Sequence, residues 1–298
     1  MASLHVLAIP FPAQGHVIPL MELSQCLAML GFRVTFVNSE FDHRRVLRSL
    51  PGSEGEHIFG GRIRLVSIPD GLEPGEDRND IARLCQGILK VMPGELERLI
   101  GELNERDGED KVSCVIADFN MSWAFEVAKK MGIQKVAAFW PASAALLAVL
   151  SSVPKLIEDG VVDENGTPLK QELIRLDPTM PGMNPLHLSW TCIGNLETQK
   201  IVFSFVKSVY TLEDVEWLLC NSSIDLESGT FKYMPRFLPV GPLLASNRLG
   251  STAGSKDGDG FRKRALEMKE KVINGVKEGG KSYQNHSNFV DWLKASKD

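Results

Sequence analysis

Apolar residues along the chain recur in two alternating periods. Residues 4–9 (LHVLAI) form a short apolar run with the length of a buried parallel strand. Pro10 and Pro12 end it, because neither can donate to a ladder and each turns the residue before it away from helix. From Val17 the period becomes helical. Leu20, Leu23, Leu27 and Leu30 share one face, and Gly31 stands where a glycine closes a helix. Residues 32–37 return to a β-rich run. The succession predicts a right-handed βαβ unit, with Gly15 and His16 in the turn at the carboxyl end of its first strand.

The alternation continues to residue 150. It predicts a short polar helix over 40–50, a strand over 62–68, a turn at 69–71 and a long helix over 80–103 with Pro93-Gly94 as a kink point. A buried strand over 111–117 ends at Asp118. A helix over 123–131 stops at Gly132, and a strand over 134–140 precedes a small apolar helix over 142–150. Five strands separated by helices predict an α/β fold: a doubly wound, mostly parallel, Rossmann-like sheet. Over 160–195, prolines and glycines break the pattern into an irregular excursion of the kind that supplies lids and pocket walls. A helix over 196–210 and strands over 217–220 and 237–240 follow. Residues 245–260 read as a flexible Gly/Ser-rich linker. Helices are expected over 261–276 and 288–295. In the second, Phe289, Trp292 and Leu293 fall at i, i+3, i+4 and require a surface to cover. The expected division is a domain over 1–244, a linker over 245–260 and a helical segment over 261–298.

Charge and composition narrow the partners. A net charge of −5 argues against nucleic acid. Residues 261–298 hold nine Lys/Arg against five Asp/Glu, so a tail of +4 meets a body of −9. No apolar run reaches the roughly 18 residues of a membrane helix, so no membrane partner is expected. Five scattered cysteines without C-x-x-C spacing suggest reduced thiols and a cytoplasmic setting. The first residues enter a strand at once, without the basic region of a signal peptide. There is no G-x-G-x-x-G after the first strand, no P-loop and no G-x-S-x-G elbow. Residues 255–260 approach a calcium loop, but position twelve is Leu266 where a Glu should stand, and no metal is expected.

Two residues carry candidate chemistry. His16 lies at the mouth of the first helix, whose N-terminus should disfavour imidazolium and keep the ring neutral. Asp118 ends the strand CVIAD, on the same rim of the sheet. Taken singly, each also fits a local role: His16 a polar cap, Asp118 the N-cap of a helix over 120–131. Together, and with no serine or cysteine nucleophile motif, a His–Asp pair suggests a base that activates a substrate's own hydroxyl.

The stretches HVLAIPFPAQGHVIPLMELSQCLAMLGFRVTFVN, CVIADFNMSWAFEVAKKMGI, VAAFWPASAA, LCNSSIDLE and LPVGPLL resemble plant family 1 UDP-dependent glycosyltransferases over about residues 4–245. The resemblance implies the GT-B arrangement of two facing Rossmann-like domains, the first for the acceptor and the second for the nucleotide sugar. It implies His16 as the catalytic base and Asp118 as its carboxylate partner. It places Gly15, Phe119, Trp140 and Ser143 at the acceptor and Gln14 towards the donor. At Pro141, in a loop near the donor sugar, many relatives carry a hydroxyl residue. No cofactor is implied. The co-substrate is a UDP-sugar, with glucose expected, and the acceptor is a small apolar hydroxylated compound of plant secondary metabolism, such as a flavonoid, phenolic or terpenoid. The family's donor signature, from Trp-Ala/Cys-Pro-Gln through His-Cys-Gly-Trp-Asn-Ser to Asp/Glu-Gln, is missing, although residues 261–298 resemble the family's last helices. The expectation is an acceptor half, inactive unless a donor domain is supplied. Its alternatives are a non-catalytic small-molecule binding module and a regulatory partner of full-length relatives.

Overall fold

The strands are β1 (His5–Ile9), β2 (Arg33–Ser39), β3 (His57–Ile58), β4 (Ile63–Ile68), β5 (Val112–Asp118), β6 (Lys135–Trp140), β7 (Trp217–Cys220) and β8 (Phe237–Pro239). They form one sheet in the order β3-β4-β2-β1-β5-β6-β7-β8. Every pairing is parallel except β3 with β4. The chain runs outward from β1 in one direction through β2 and in the other from β5, so the order reverses between β1 and β5. Ligands bind at such a switch point in doubly wound sheets. The computed structural model describes residues 4–49, 57–106, 111–209, 215–243, 270 and 272–295.

Both faces of the sheet are apolar and both are covered. On one face Leu7, Ile9, Val115 and Ala117 pack under α3 (Ile81–Arg106), α4 (Trp123–Lys130), α5 (Ala144–Ser151) and α7 (Leu196–Val209). On the other, Val6, Ala8, Phe36, Ile116 and Phe139 pack under α1 (Gln14–Met29) and the C-terminal helix, here α9 (Lys281–Lys294). Helices α2 (Glu40–Ser49), α6 (Val153–Glu158) and α8 (Ile224–Tyr233) complete the layers.

Several expectations change in detail. Helix α1 begins at Gln14 instead of Val17: the Ala13 carbonyl accepts from the amides of His16 and Val17, so Gln14, Gly15 and His16 form its first turn. Pro19 sits inside the helix and leaves the Gly15 carbonyl without its i+4 donor. Gly31 closes the helix at φ +95° as expected, but Leu30 is the capping residue and is 47% exposed, off the buried stripe. Two-residue β3, too short for a periodic signal, brings the strands before residue 150 to six. α3 runs through Pro93-Gly94 to Arg106 as one helix. Helix α5 starts at Ala144, with Ser143 as its N-cap. Residues 245–260 lie outside the described residues, as does most of 261–276, of which 270 and 272–276 are helical.

The tail docks on the sheet. Phe289 and Leu293 are fully buried and Trp292 is half-buried. Phe289 lies 5.4 Å from the Trp217 ring, and Trp292 stacks on Phe289 at 5.6 Å. The helix begins at Lys281, seven residues earlier than expected. Gly280 is its N-cap and approaches the carbonyls of Asn274 and Gly275 so closely that a Cβ would lie 2.3 Å from either. Ser282 Oγ donates to the Gly241 carbonyl at 2.9 Å and Asn285 Nδ2 to that of Pro239 at 2.8 Å. At the far end Lys135 Nζ donates to the carbonyls of Trp292 (2.9 Å), Leu293 (2.8 Å) and Ala295. A buried ammonium thus meets the negative end of a helix dipole and satisfies carbonyls the helix cannot pair itself.

Phe289→Ala should destabilise the protein by about 3–5 kcal/mol, the usual cost of emptying a buried aromatic site. Melting followed by circular dichroism checks this. A melting temperature equal to that of the unsubstituted chain would mean that α9 is not held on the sheet in solution.

Candidate active site

Ile9 pairs with Ala117 in the β1–β5 register, so the chain leaving β1 and Asp118 at the end of β5 stand at one level of one rim. The His16 ring, on the first turn of α1, reaches across, and its Nδ1 lies 2.7 Å from Asp118 Oδ2. The His16 side chain is 23% exposed and that of Asp118 is 0%. The other carboxylate oxygen, Oδ1, accepts from the Asn120 amide at 2.9 Å and caps the 3₁₀ turn Phe119–Met121. Asp118 therefore does both jobs its sequence position allows. It caps a shorter turn than the helix over 120–131, since that segment divides into the 3₁₀ turn and α4.

A carboxylate only accepts hydrogen bonds, so Nδ1–H must be the donor, and in the neutral ring Nε2 keeps its lone pair. Burial lowers the affinity of the ring for a proton, while the Asp118 charge and hydrogen bond raise it. The balance is a pKa above the ordinary 6.5. The helix N-terminus alone would be expected to lower this pKa; with the buried Asp118 carboxylate at 2.7 Å the direction is instead upward, against the effect of burial.

Aromatic rings frame the dyad. Phe11, between the two prolines after β1, lies 5.3 Å from His16, and Phe205 of α7 lies 6.2 Å from Phe11. Trp140 stands edge-on to His16 at 6.5 Å, and Phe119 edge-on to Trp140 at 5.8 Å. Phe119 and Trp140 are themselves buried, and the Trp140 indole N–H is spent on the Ser143 carbonyl at 2.8 Å. They back the site, while Gln14, Gly15 and Ser143 are exposed on it. Sequence reasoning missed Phe11, although its place directly after β1 was a usable signal. Phe205 carried no such signal.

The loop after β4 is rigidly built at the same rim. Arg78, 11% exposed, donates to both Asp70 oxygens at 3.1 and 3.0 Å and to the carbonyls of Leu72, Glu73 and Glu76. Gly71, at φ +85°, presses on α3 where a Cβ would meet the Gly87 carbonyl oxygen at 2.6 Å. A cavity of about 270 Å³ lies elsewhere, lined by His5, Arg33, Thr35 and Arg64 at the amino ends of the strands. It is the wrong rim for a parallel sheet. Burial pushes the Cys85 thiol up to about 12 and raises those of Cys114 and Cys220 as well, so none is a thiolate nucleophile. Among the described residues no cluster of His, Cys, Asp and Glu could hold a metal ion, and no helix is long and apolar enough to cross a membrane.

Residues 2–68 match the family model "Glycosyltransferase, N-terminal domain". UDP-glycosyltransferase 83A1 of Arabidopsis thaliana is 43% identical over 254 residues, which is 84% of this chain and 54% of that protein. The chain belongs to the plant family 1 UDP-glycosyltransferases. It is also similar to (R)-mandelonitrile beta-glucosyltransferase of Prunus dulcis, 36% identical over 161 residues, 53% of this chain and 32% of that one. The fold is that of a solved UDP-glucosyltransferase from Polygonum tinctorium, with a TM-score of 0.63 at 22% identity, covering 86% of this chain and 56% of that one. The chain spans about half the length of the curated relatives it matches. His16 lies within the span matched by that N-terminal family model, and Asp118 lies beyond it.

Nuclear magnetic resonance titration of the His16 ring should give a midpoint above 6.5 in the native chain. In Asp118→Asn, where burial acts unopposed, it should fall below that value. A raised folded pKa adds stability that is complete below the unfolded value and is lost as pH rises through the folded one. The melting temperature should therefore decline over that interval in the native chain and stay flatter in the variant. Equal midpoints in the two proteins would show that the carboxylate does not act on the ring.

Proposed function

We propose that this chain is the acceptor-binding half of a UDP-glucose-dependent glycosyltransferase, with His16 as catalytic base and Asp118 as its orienting carboxylate. The observation that carries this is the 2.7 Å Nδ1–Oδ2 bond, which aims Nε2 away from the protein carboxylate at a partly exposed rim. Nε2 takes the proton of an acceptor hydroxyl as its oxygen attacks the anomeric carbon of the sugar. The bond from that carbon to the diphosphate oxygen breaks, and UDP leaves with the electron pair. Attack opposite the leaving group inverts the anomeric centre. Asp118 stabilises the imidazolium that forms.

The acceptor is a small apolar compound bearing a hydroxyl. Supporting this are the rings of Phe11 and Trp140 beside His16, with Phe205 against Phe11, and a relative named (R)-mandelonitrile beta-glucosyltransferase. No cofactor or metal takes part in this scheme. The donor's diphosphate and uracil are held by a second domain facing this rim. The three-part division, with a linker over 245–260, belongs to the same proposal, as does a cytoplasmic location.

Joined to the donor half of UDP-glycosyltransferase 83A1, the chain should transfer glucose to a phenolic acceptor, and His16→Ala should cut the rate by about 10²–10⁴-fold. Asp118→Asn should cost less. Transfer at the unsubstituted rate by the His16→Ala protein would remove His16 from the mechanism.

The 298 residues by themselves should bind UDP-glucose no tighter than about 1 mM, roughly −4 kcal/mol. Calorimetric titration measures this. Micromolar binding would locate a donor site within these residues and overturn the division of labour between the two halves.

A further inference from the structure

The first turn of α5 contains no acidic residue, yet its N-terminus is capped by a carboxylate. Glu227, more than eighty residues further along, accepts from the Ala144 amide through Oε2 at 2.8 Å and from the Ala145 amide through Oε1 at 2.9 Å. Ser222 Oγ donates to the same Oε2 at 2.5 Å. To present this carboxylate the backbone of α8 leaves helical geometry at Glu227 itself, with φ −136° and ψ 43°. The next amide of α5, Leu146, is taken by Ser143 Oγ at 3.3 Å, and that of Leu147 by the Ser143 carbonyl. All of the first amides of α5 are thus spent within the protein.

These bonds fix one end of the loop over residues 140–143. The other contacts of that loop are also to the protein. The Trp140 carbonyl accepts from the Asn221 amide at 2.8 Å, the Cys220 thiol lies 3.9 Å from the Ala142 carbonyl, and the Trp140 indole holds the Ser143 carbonyl. The loop therefore depends on two anchors, the end of β7 and Glu227. Between them it carries the Trp140 ring that stands edge-on to His16 and leaves Ala142 and Ser143 exposed at the rim.

We propose that Glu227 is a positioning residue of the acceptor rim: through the Ala144 and Ala145 amides it sets the 140–143 loop, and with it the placement of Trp140 against His16. It touches neither dyad residue. It acts at a distance because charge-assisted bonds to two successive amides fix both the position and the direction of a helix end. A glutamine offers one acceptor oxygen where the carboxylate offers two, and its amide group would face an N–H. The proposal rests on this rim being the acceptor site.

The test compares Glu227→Gln and Glu227→Ala with the native chain, and uses Ser222→Ala as a control that keeps both amide bonds. In both Glu227 variants hydrogen exchange at the Ala144 and Ala145 amides should rise at least about tenfold. The His16 ring resonances should move as the Trp140 ring current changes, while the His16 midpoint stays above 6.5 because Asp118 is untouched. Saturable quenching of tryptophan fluorescence by 1-naphthol should weaken by about tenfold in Glu227→Gln, the scale of one lost charge-assisted bond. Ser222→Ala should match the native chain in all three. A role confined to stability would lower the melting temperature and leave the His16 resonances in place, and that result overturns the proposal. Failure of the native chain to bind 1-naphthol, with the exchange and resonance changes present, would sink the acceptor role of the rim and leave the coupling of Glu227 to Trp140 standing.

Discussion

A sheet with parallel pairing through its interior has two apolar faces and must bury both. Everything else in this structure follows from how that is done. The helices between β4 and β7, namely α3, α4, α5, α6 and α7, all cover one face. The opposite face has α1 near its centre, and the side towards β7 and β8 is closed by α9. The tail is therefore part of the core, with Phe289 as buried as any residue of the central strands. Lys135 completes the closure. As the first residue of β6 it lies at the amino end of the sheet, where the last carbonyls of α9 arrive. Burying an ammonium is costly unless it is paired. Here the carbonyls supply the acceptors and the helix end supplies the opposing partial charge.

With both faces closed, the rims remain for chemistry, and the proposed dyad sits on the carboxyl rim. Asp118 links three elements there: it ends β5, caps the turn after it and holds His16 of α1. Because it is wholly buried its charge acts on His16 with little screening, enough to reverse the effect of burial on the ring. A proton-accepting Nε2 beside a firmly oriented Nδ1 follows from that one contact. Around it the rim is stiffened by carboxylates that each grip more than one partner: Asp70 holds Arg78 and the Leu72 amide, and Glu227 holds two amides and a hydroxyl. A base is useful only if its substrate is held at a fixed distance, and in the proposed reading these grips fix the walls that would do so.

The alternation of strand and helix is legible in the chain's apolar pattern, because burial on both sides of a parallel sheet writes short apolar runs and burial on one side of a helix writes a 3.6-residue period. That placed His16 after β1 and Asp118 at the end of β5. It also identified the stripe of Phe289, Trp292 and Leu293 as a surface that needed a partner. What it could not contain was anything set by pairing between distant residues. The two-residue β3 has no period of its own and exists only against β4. The start of α1 moved to Gln14 because the Ala13 carbonyl found its donors, a choice made by backbone geometry. The sign of the His16 shift depended on a distance of 2.7 Å across 102 positions of sequence. Lys135 under α9, Arg78 on Asp70 and Glu227 at the head of α5 are charged residues whose local context suggests solvent. Only the folded chain brings each to a partner, because a side chain's charge is written locally but the group that neutralises it is chosen by topology.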